Sequence, residues 1–410
     1  MYLQRTIEKF LRKAARHFPV ILITGARQVG KTTLLKTLAE PERKYITLDD
    51  PVVLQLAKTD PALFFQRYKT PLIIDEIQYA PELLPYIKMM VDRTGKKNLF
   101  WLTGSQHFHI MKGLTESLAG RVAILHLMGF SFSESKGEGL KVKPFLPKNK
   151  ISVKDALEDR LSLMDVYSHI FRGSFPALHV EPEMDWNLFY SSYVQTYLQR
   201  DVVEIINVVN RISFIRFLKA VAARTAQLLN LSDLARDADI SPNTAKKWLS
   251  VLQASGIVYL LQPFHTNLSK RLVKAPKLYF LDTGLCAWLT EWSSPETLEA
   301  GALSGAIFET WIFTEILKTY LHNGLEPSFY YYHDKDRKEI DLLIFKNGRV
   351  YPVEIKKTAS PNRDMVSVFK SLKRLGLNIA SGCLICLCND ILPLMNNVYA
   401  LPVDYLFKEF

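Results

Sequence analysis

Along the first third of the chain, short apolar runs alternate with stretches whose apolar positions recur every three or four residues. The runs are PVILIT (19–24), KYIT (44–47), PLIID (71–75) and NLFWLTG (98–104). Each is too short for a helix and apolar on both faces. That pattern predicts parallel strands covered by helices on either side. Ahead of them, YLQRTIEKFLRKAARHF (2–18) repeats as a basic amphipathic helix expected to pack on this sheet. The section closes near GRVAILHLMGFSFSE (120–134).

Residues 136–160 are polar, lysine-rich and aperiodic, which predicts an exposed insertion. Helical periodicity then runs from about 161 to 228, including WNLFYSSYVQTYLQRDVVEII (186–206). In the stretch 229–264, a short helix precedes SPNTAKKWLSVL. There Ser241 has the place of an N-cap, Pro242 that of the first helical residue, and Gly256 that of a stop. Strands VYLL and KLYF follow, so the region reads as a helix-turn-helix with a wing. Near the C-terminus, EIDLLIFK and RVYPVEIK flank Asn347-Gly348, a strong short-range signal for a hairpin. The predicted divisions are 1–135, 136–225, 226–300 and 301–410.

The chain has 410 residues, 48% hydrophobic and 23% charged, enough for more than one packed core. Its net charge of +11 favours a polyanionic partner, nucleic acid first. No run is long enough to span a bilayer, and no secretory leader is evident. Four cysteines, three of them in GCLICLC (382–388), read as reduced thiols, so a cytoplasmic setting without membrane partners is expected.

Two stretches carry chemistry. GARQVGKT (25–32) fits the phosphate-loop spacing and lies between a strand and a helix, as that loop requires. Gly25, Ala26, Arg27, Gln28, Val29, Gly30, Lys31, Thr32 and Thr33 are the expected ATP contacts. In that loop the backbone N–H groups cradle phosphates, Lys31 reaches the β and γ oxygens, and Thr32 places a hydroxyl on Mg²⁺. PLIIDEIQ ends a buried strand in Asp75, which would hold the Mg²⁺ shell, and Glu76, which would orient the attacking water. Ser105, or a neighbour at the end of the next strand, would contact the γ-phosphate or serve only as a turn serine. Arg121 would act across a subunit interface as an arginine finger, or serve only as a surface arginine, with Arg200 as the other candidate; the trans role requires a homo-oligomer.

In the hairpin, Asp341 and Glu354 fall on adjacent strands, and Glu354 and Lys356 share a face. Two carboxylates so placed would hold a second Mg²⁺, with Lys356 steadying a phosphorane and Glu309, from the helix GAIFETWIFTEILK, adding a carboxylate. Cross-hairpin ion pairing with no catalytic purpose accounts for the same residues.

With LITGARQVGKTTLL, LIIDEIQ, LTGSQ, SLAGR, the 229–264 stretch and EIDLLI…VEIKK in hand, the sequence resembles a family of bacterial and archaeal AAA+ ATPases. In that family a C-terminal domain of unknown function is related to restriction-endonuclease-like (PD-(D/E)xK) nucleases. The resemblance implies an α/β fold: a P-loop NTPase parallel-sheet domain, a helical and winged-helix middle, and a nuclease-like α/β tail. The family often loses the acidic and lysine positions of that tail; here Glu309, Asp341, Glu354 and Lys356 all stand. Two functions are expected from this. One is an ATP-hydrolysing, DNA-associated protein with a Mg²⁺-dependent nuclease-like domain, with Lys246 and Lys247 near the start of a recognition helix. The other is a nucleotide-dependent signalling or scaffold switch with an inactive tail.

Overall fold

The structure, a computed structural model, describes residues 2–104, 117–148, 160–196, 211–264, 275–334 and 338–407. Helix α1 (Ile7–His17) buries Ile7, Leu11, Ala14 and Ala15, a stripe at helical spacing, against the main core. Five strands follow: β1 (Val20–Thr24), β2 (Lys44–Thr47), β3 (Leu72–Asp75), β4 (Phe100–Gly104) and β5 (Val122–His126). They are parallel and ordered β2-β3-β4-β1-β5. Val20, Leu22, Ile74 and Leu102 enter one core, whereas Ile21, Ile23, Ile73 and Trp101 enter the other. Alternation between two cores explains why these runs are apolar at every position. Because the strands run one way, Thr24, Asp75 and Gly104 reach the same sheet edge. Helix α2 (Lys31–Leu38) starts there.

Helix α3 (Phe132–Ser135) is fixed by a reciprocal Ser131–Glu134 capping box, and α4 (Leu163–Arg172) and α5 (Pro176–Val180) follow. The central module comprises α6 (Arg211–Ala222), β6 (Gln227–Leu228), α7 (Leu231–Asp237), α8 (Pro242–Ala254), β7 (Val258–Leu261) and β8 (Lys277–Phe280). Its three strands form an antiparallel sheet ordered β6-β8-β7. Ser241 caps α8 by accepting from the Thr244 N–H, and Pro242 is its first residue.

Helix α9 (Ser304–Leu321) lies against a six-stranded sheet of β9 (Phe329–His333), β10 (Glu339–Lys346), β11 (Arg349–Lys356), β12 (Gly382–Cys386), β13 (Leu392–Met395) and β14 (Val398–Pro402). The order is β13-β14-β12-β11-β10-β9, with β9, β10 and β11 antiparallel. A 3-10 stretch, Arg363–Leu375, seals the sheet with Val366, Phe369 and Leu372.

The α9 helix is buried well beyond a single stripe: Thr310, Trp311, Phe313 and Leu317 are buried along with Phe308, Ile312 and Ile316, because other parts of the chain cover its far side. The described part of the 136–160 segment is exposed at Lys136, Glu138, Lys141, Lys143 and Lys148 but is tied down to α9 between them. The Phe145 N–H donates to Thr319 Oγ1 (3.0 Å), and the Tyr320 hydroxyl donates to the Phe145 carbonyl (2.8 Å). Among the described residues no helix is long and apolar enough to cross a membrane.

Candidate functional site

After β1 the chain turns through Gly25 (φ +151) and Gly30 (φ +93), with Gln28 also left-handed. A Cβ on Gly25 would lie 2.0 Å from the Leu127 carbonyl oxygen, so the loop passes flush against the residues after β5 and only glycine fits. Lys31 then opens α2, and its ammonium donates to the carbonyls of Gly25 (3.0 Å) and Ala26 (2.8 Å). Burial pushes the Lys31 ammonium down to about 8, while Glu76 and Asp75 pull the other way.

Thr32 Oγ1 lies 3.0 Å from both Asp75 carboxylate oxygens. Asp75 also accepts from the Tyr45 hydroxyl (2.7 Å) and from Thr103. Thr103 Oγ1 in turn accepts from the Glu76 N–H (3.0 Å), so one hydroxyl sets both acidic residues. Glu76, left-handed at φ +57, lines a cleft of about 810 Å³ together with Arg27, Gly30, Lys31, Thr32 and Pro176. The Lys31 ammonium at the start of α2 fits phosphate oxygens, and the Thr32 hydroxyl with the Asp75 carboxylate fits an octahedral cation.

Sequence reasoning missed Arg5 and Tyr45, and it pointed only to a neighbour of Ser105 where Thr103 stands. Arg5 is buried and braces the loop from behind, donating to the Val29 (2.9 Å) and Met128 (2.8 Å) carbonyls. Nothing in the basic N-terminal run distinguishes it from Arg12 or Arg16. Arg121 precedes β5 at the opposite sheet edge and pairs with Asp92 (2.6 Å), away from the cleft of its own chain. Ser105 and Arg200 lie outside the described residues.

The hairpin turns at Asn347 (φ +51) and Gly348 (φ +70), both left-handed as a two-residue loop of this kind requires. Its register, Leu342 opposite Val353, sets Asp341 beside Glu354. Asp341 Oδ2 accepts from the Ile355 N–H (2.9 Å), and Lys356 Nζ lies 2.8 Å from Glu354 Oε1 and 3.4 Å from Asp341 Oδ2. The four expected residues therefore meet, with Glu309 arriving from α9.

A fifth charge was not foreseen. Lys277, from β8, places its ammonium 2.7 Å from Glu309 Oε1, 2.7 Å from Glu339 Oε1 and 3.0 Å from Asp341 Oδ1. Tyr279, two residues on along the same strand, donates to Glu309 Oε1 (2.7 Å). Glu339 was open to discovery, being two positions from Asp341 on one strand; Lys277 was not, because its partners lie on α9 and β10. Burial, with Asp341 adding to it, pushes Glu354 up to about 8 and Glu309 up to about 7. Burial also acts on Asp341, but Lys277 and Lys356 outweigh it and hold that carboxyl below its usual range. The expected Mg²⁺ at Asp341 and Glu354 meets an ammonium already among the carboxylates. Among the described residues, no group of three or more His, Cys, Asp or Glu side chains is arranged to hold a metal ion. As arranged, these residues do not fit a divalent cation.

Comparison with known proteins bears on the domain that carries the first of these sites. A family model described as "AAA domain" matches residues 17–136, which form an AAA-type P-loop ATPase domain. Models described as "Domain of unknown function" match residues 164–296 (DUF8612) and 304–406 (DUF4143). The chain is 29% identical over 402 residues to uncharacterized proteins of Mycobacterium tuberculosis and Mycobacterium bovis, covering 96% of this chain and 82% of each relative. Among solved structures, a Walker-type ATPase of Pyrococcus abyssi aligns at 15% identity and TM-score 0.41, over 69% of this chain and 94% of its own. The RuvB Holliday junction branch migration motor of Thermotoga maritima aligns at 16% identity and TM-score 0.30, over 63% and 90%. Both alignments are too loose to add to the fold seen in the sheet itself.

Proposed function

We propose that this protein binds and hydrolyses Mg²⁺-ATP in the cleft above α2, and that the nucleotide cycle governs contact with DNA through the central module. The observation that carries the reading is the joined set of Lys31, Thr32, Asp75 and Glu76 on one sheet edge. An incoming triphosphate displaces the Gly25 and Ala26 carbonyls from the Lys31 ammonium. Thr32 and Asp75 would hold the cation, which would supply charge neutralisation at the phosphoryl group, and Glu76 would orient the attacking water.

The loop is placed to report its occupancy. A Cβ added at Gly256, in the turn after α8, would lie 3.4 Å from the Ala26 nitrogen, so that turn leans on the phosphate loop. Behind the loop a cavity of about 140 Å³, bounded by Gly25, Met128, Ile257, Leu285 and Leu317, leaves room for it to shift. Helices α6, α7 and α8 with the β6-β8-β7 sheet follow the order of a winged helix, and Lys246 and Lys247 are exposed on α8. The +11 charge supports a nucleic-acid partner. The order α9, β9, β10, β11, then a helical stretch and β12, supports a nuclease-like fold for the tail. Lys277 favours the reading in which that tail serves the switch without cutting DNA.

Fluorescence anisotropy of duplex DNA against salt concentration, with and without ATP, tests the partner. Lys246→Ala/Lys247→Ala is expected to lower the log–log salt slope by about two, close to one per phosphate contact removed. Absence of salt-dependent DNA affinity removes DNA as the partner.

A further inference from the structure

The C-terminal cluster gathers Glu309, Glu339, Asp341 and Glu354 around Lys277 and Lys356. Lys277 is 3% exposed, and its ammonium faces one oxygen from each of three carboxylates at 2.7, 2.7 and 3.0 Å. An ammonium has three N–H donors, so this one is fully coordinated and has none left for a substrate. It stands as a small cation among hard oxygen ligands, a donor set that otherwise suits Mg²⁺ or Mn²⁺. Glu354, 4% exposed, keeps Oε2 buried without a hydrogen-bond partner, so the cluster still holds an unused ligand atom.

The lysine is also not local to the sheet it serves. It lies on β8, paired with β6 and β7 in the central module, whereas its partners are on α9 and β10. We infer that Lys277 is the resident cation of the C-terminal module: β8 delivers an ammonium into the place of a divalent ion, closing the cluster to metal while latching the two modules together. The inference does not depend on the nucleotide cleft. It predicts that the metal-binding capacity of these carboxylates is latent, and that removing the lysine charge releases it. Without Lys277, Glu309, Glu339 and Asp341 face one another with, among the described residues, Lys356 as the remaining ammonium in the cluster, and a dication then relieves their repulsion.

The test is Mn²⁺ uptake by the full chain without nucleotide, followed by loss of the free-ion electron paramagnetic resonance signal. Thermal unfolding with and without Mn²⁺ is measured alongside. Wild-type protein is expected to take up no ion that depends on Asp341. Lys277→Met and Lys277→Gln are expected to melt lower, to bind Mn²⁺ at least ten-fold more tightly than wild type, and to regain melting temperature when it is added. Asp341→Asn in either background is expected to abolish that gain. An Asp341-dependent Mn²⁺ site in the wild type would overturn the inference, as would a folded Lys277 variant that takes up no Mn²⁺. Variants that stay unfolded with Mn²⁺ present would overturn it too, since the ion is expected to substitute for the ammonium.

Discussion

Thr103 controls both acidic residues of the nucleotide cleft through one hydroxyl, donating to Asp75 and accepting from the Glu76 N–H. Thr103→Val keeps the shape and removes both bonds. It is expected to lower ATP turnover about 10–100-fold, the usual effect of removing a group that orients a metal ligand, with activity restored in Thr103→Ser. A Thr103→Val enzyme with wild-type turnover would show that the acidic pair is set by other contacts. Lys31 offers a pH test. Its free-protein value is about 8, lowered by burial, so above that pH it is neutral until a triphosphate arrives. Binding favours the charged form, so affinity is expected to hold steady below about pH 8. Above it, affinity should fall by up to about ten-fold per unit, with uptake of nearly one proton per nucleotide. Titration calorimetry at pH 9 in buffers of different ionisation enthalpy measures that uptake; equal heats in all buffers would contradict it.

At the scale of elements, the parts most legible in the sequence were those whose signals are consecutive residues. The loop from Gly25 to Thr32, the Ser241-Pro242 start of α8 and the Asn347-Gly348 turn each carry their conformation in neighbouring side chains. The turn can be checked directly. A Cβ at Gly348 meets nothing within 4 Å, so Gly348→Ala adds only the cost of a left-handed backbone. It is expected to destabilise the chain by about 1–2 kcal/mol in urea unfolding. No change would mean that the hairpin register is set elsewhere. What the sequence hid were contacts between distant elements. Phe145 lies in an aperiodic stretch because backbone groups, not a repeating face, bind it to α9. Lys277 looks like any strand lysine until β8 is set against α9 and β10.

Across the whole molecule, Glu134 joins the N-terminal segment to the residue that ends α9. Fully buried, it accepts from the N–H groups of Thr6 (2.8 Å) and Ser131 (2.9 Å) and lies 3.2 Å from Arg5 Nε and 3.1 Å from His322 Nδ1. His322 Nε2 accepts from the Met128 N–H (3.1 Å), beside the phosphate loop. Burial opposes the charge on Glu134, but Arg5 and His322 outweigh it and hold the carboxyl well below its usual range. Glu134→Gln leaves Arg5 without its carboxylate partner and is expected to cost about 3–5 kcal/mol. It should lower the stability of the N- and C-terminal parts in a single transition, followed by denaturant unfolding with probes in each. Two separated transitions in the wild type would mean that the shared core does not couple them.

A working nucleotide cycle at the sheet edge is tested by steady-state hydrolysis of ATP with Mg²⁺ by the wild type, Lys31→Ala and Glu76→Gln, with nucleotide binding measured in parallel. The wild type is expected to turn over, Lys31→Ala to lose binding and hydrolysis together, and Glu76→Gln to bind ATP while hydrolysis falls about 10²-fold or more. Hydrolysis unchanged in Lys31→Ala, or absent from a wild type that is folded and supplied with Mg²⁺, would contradict the account.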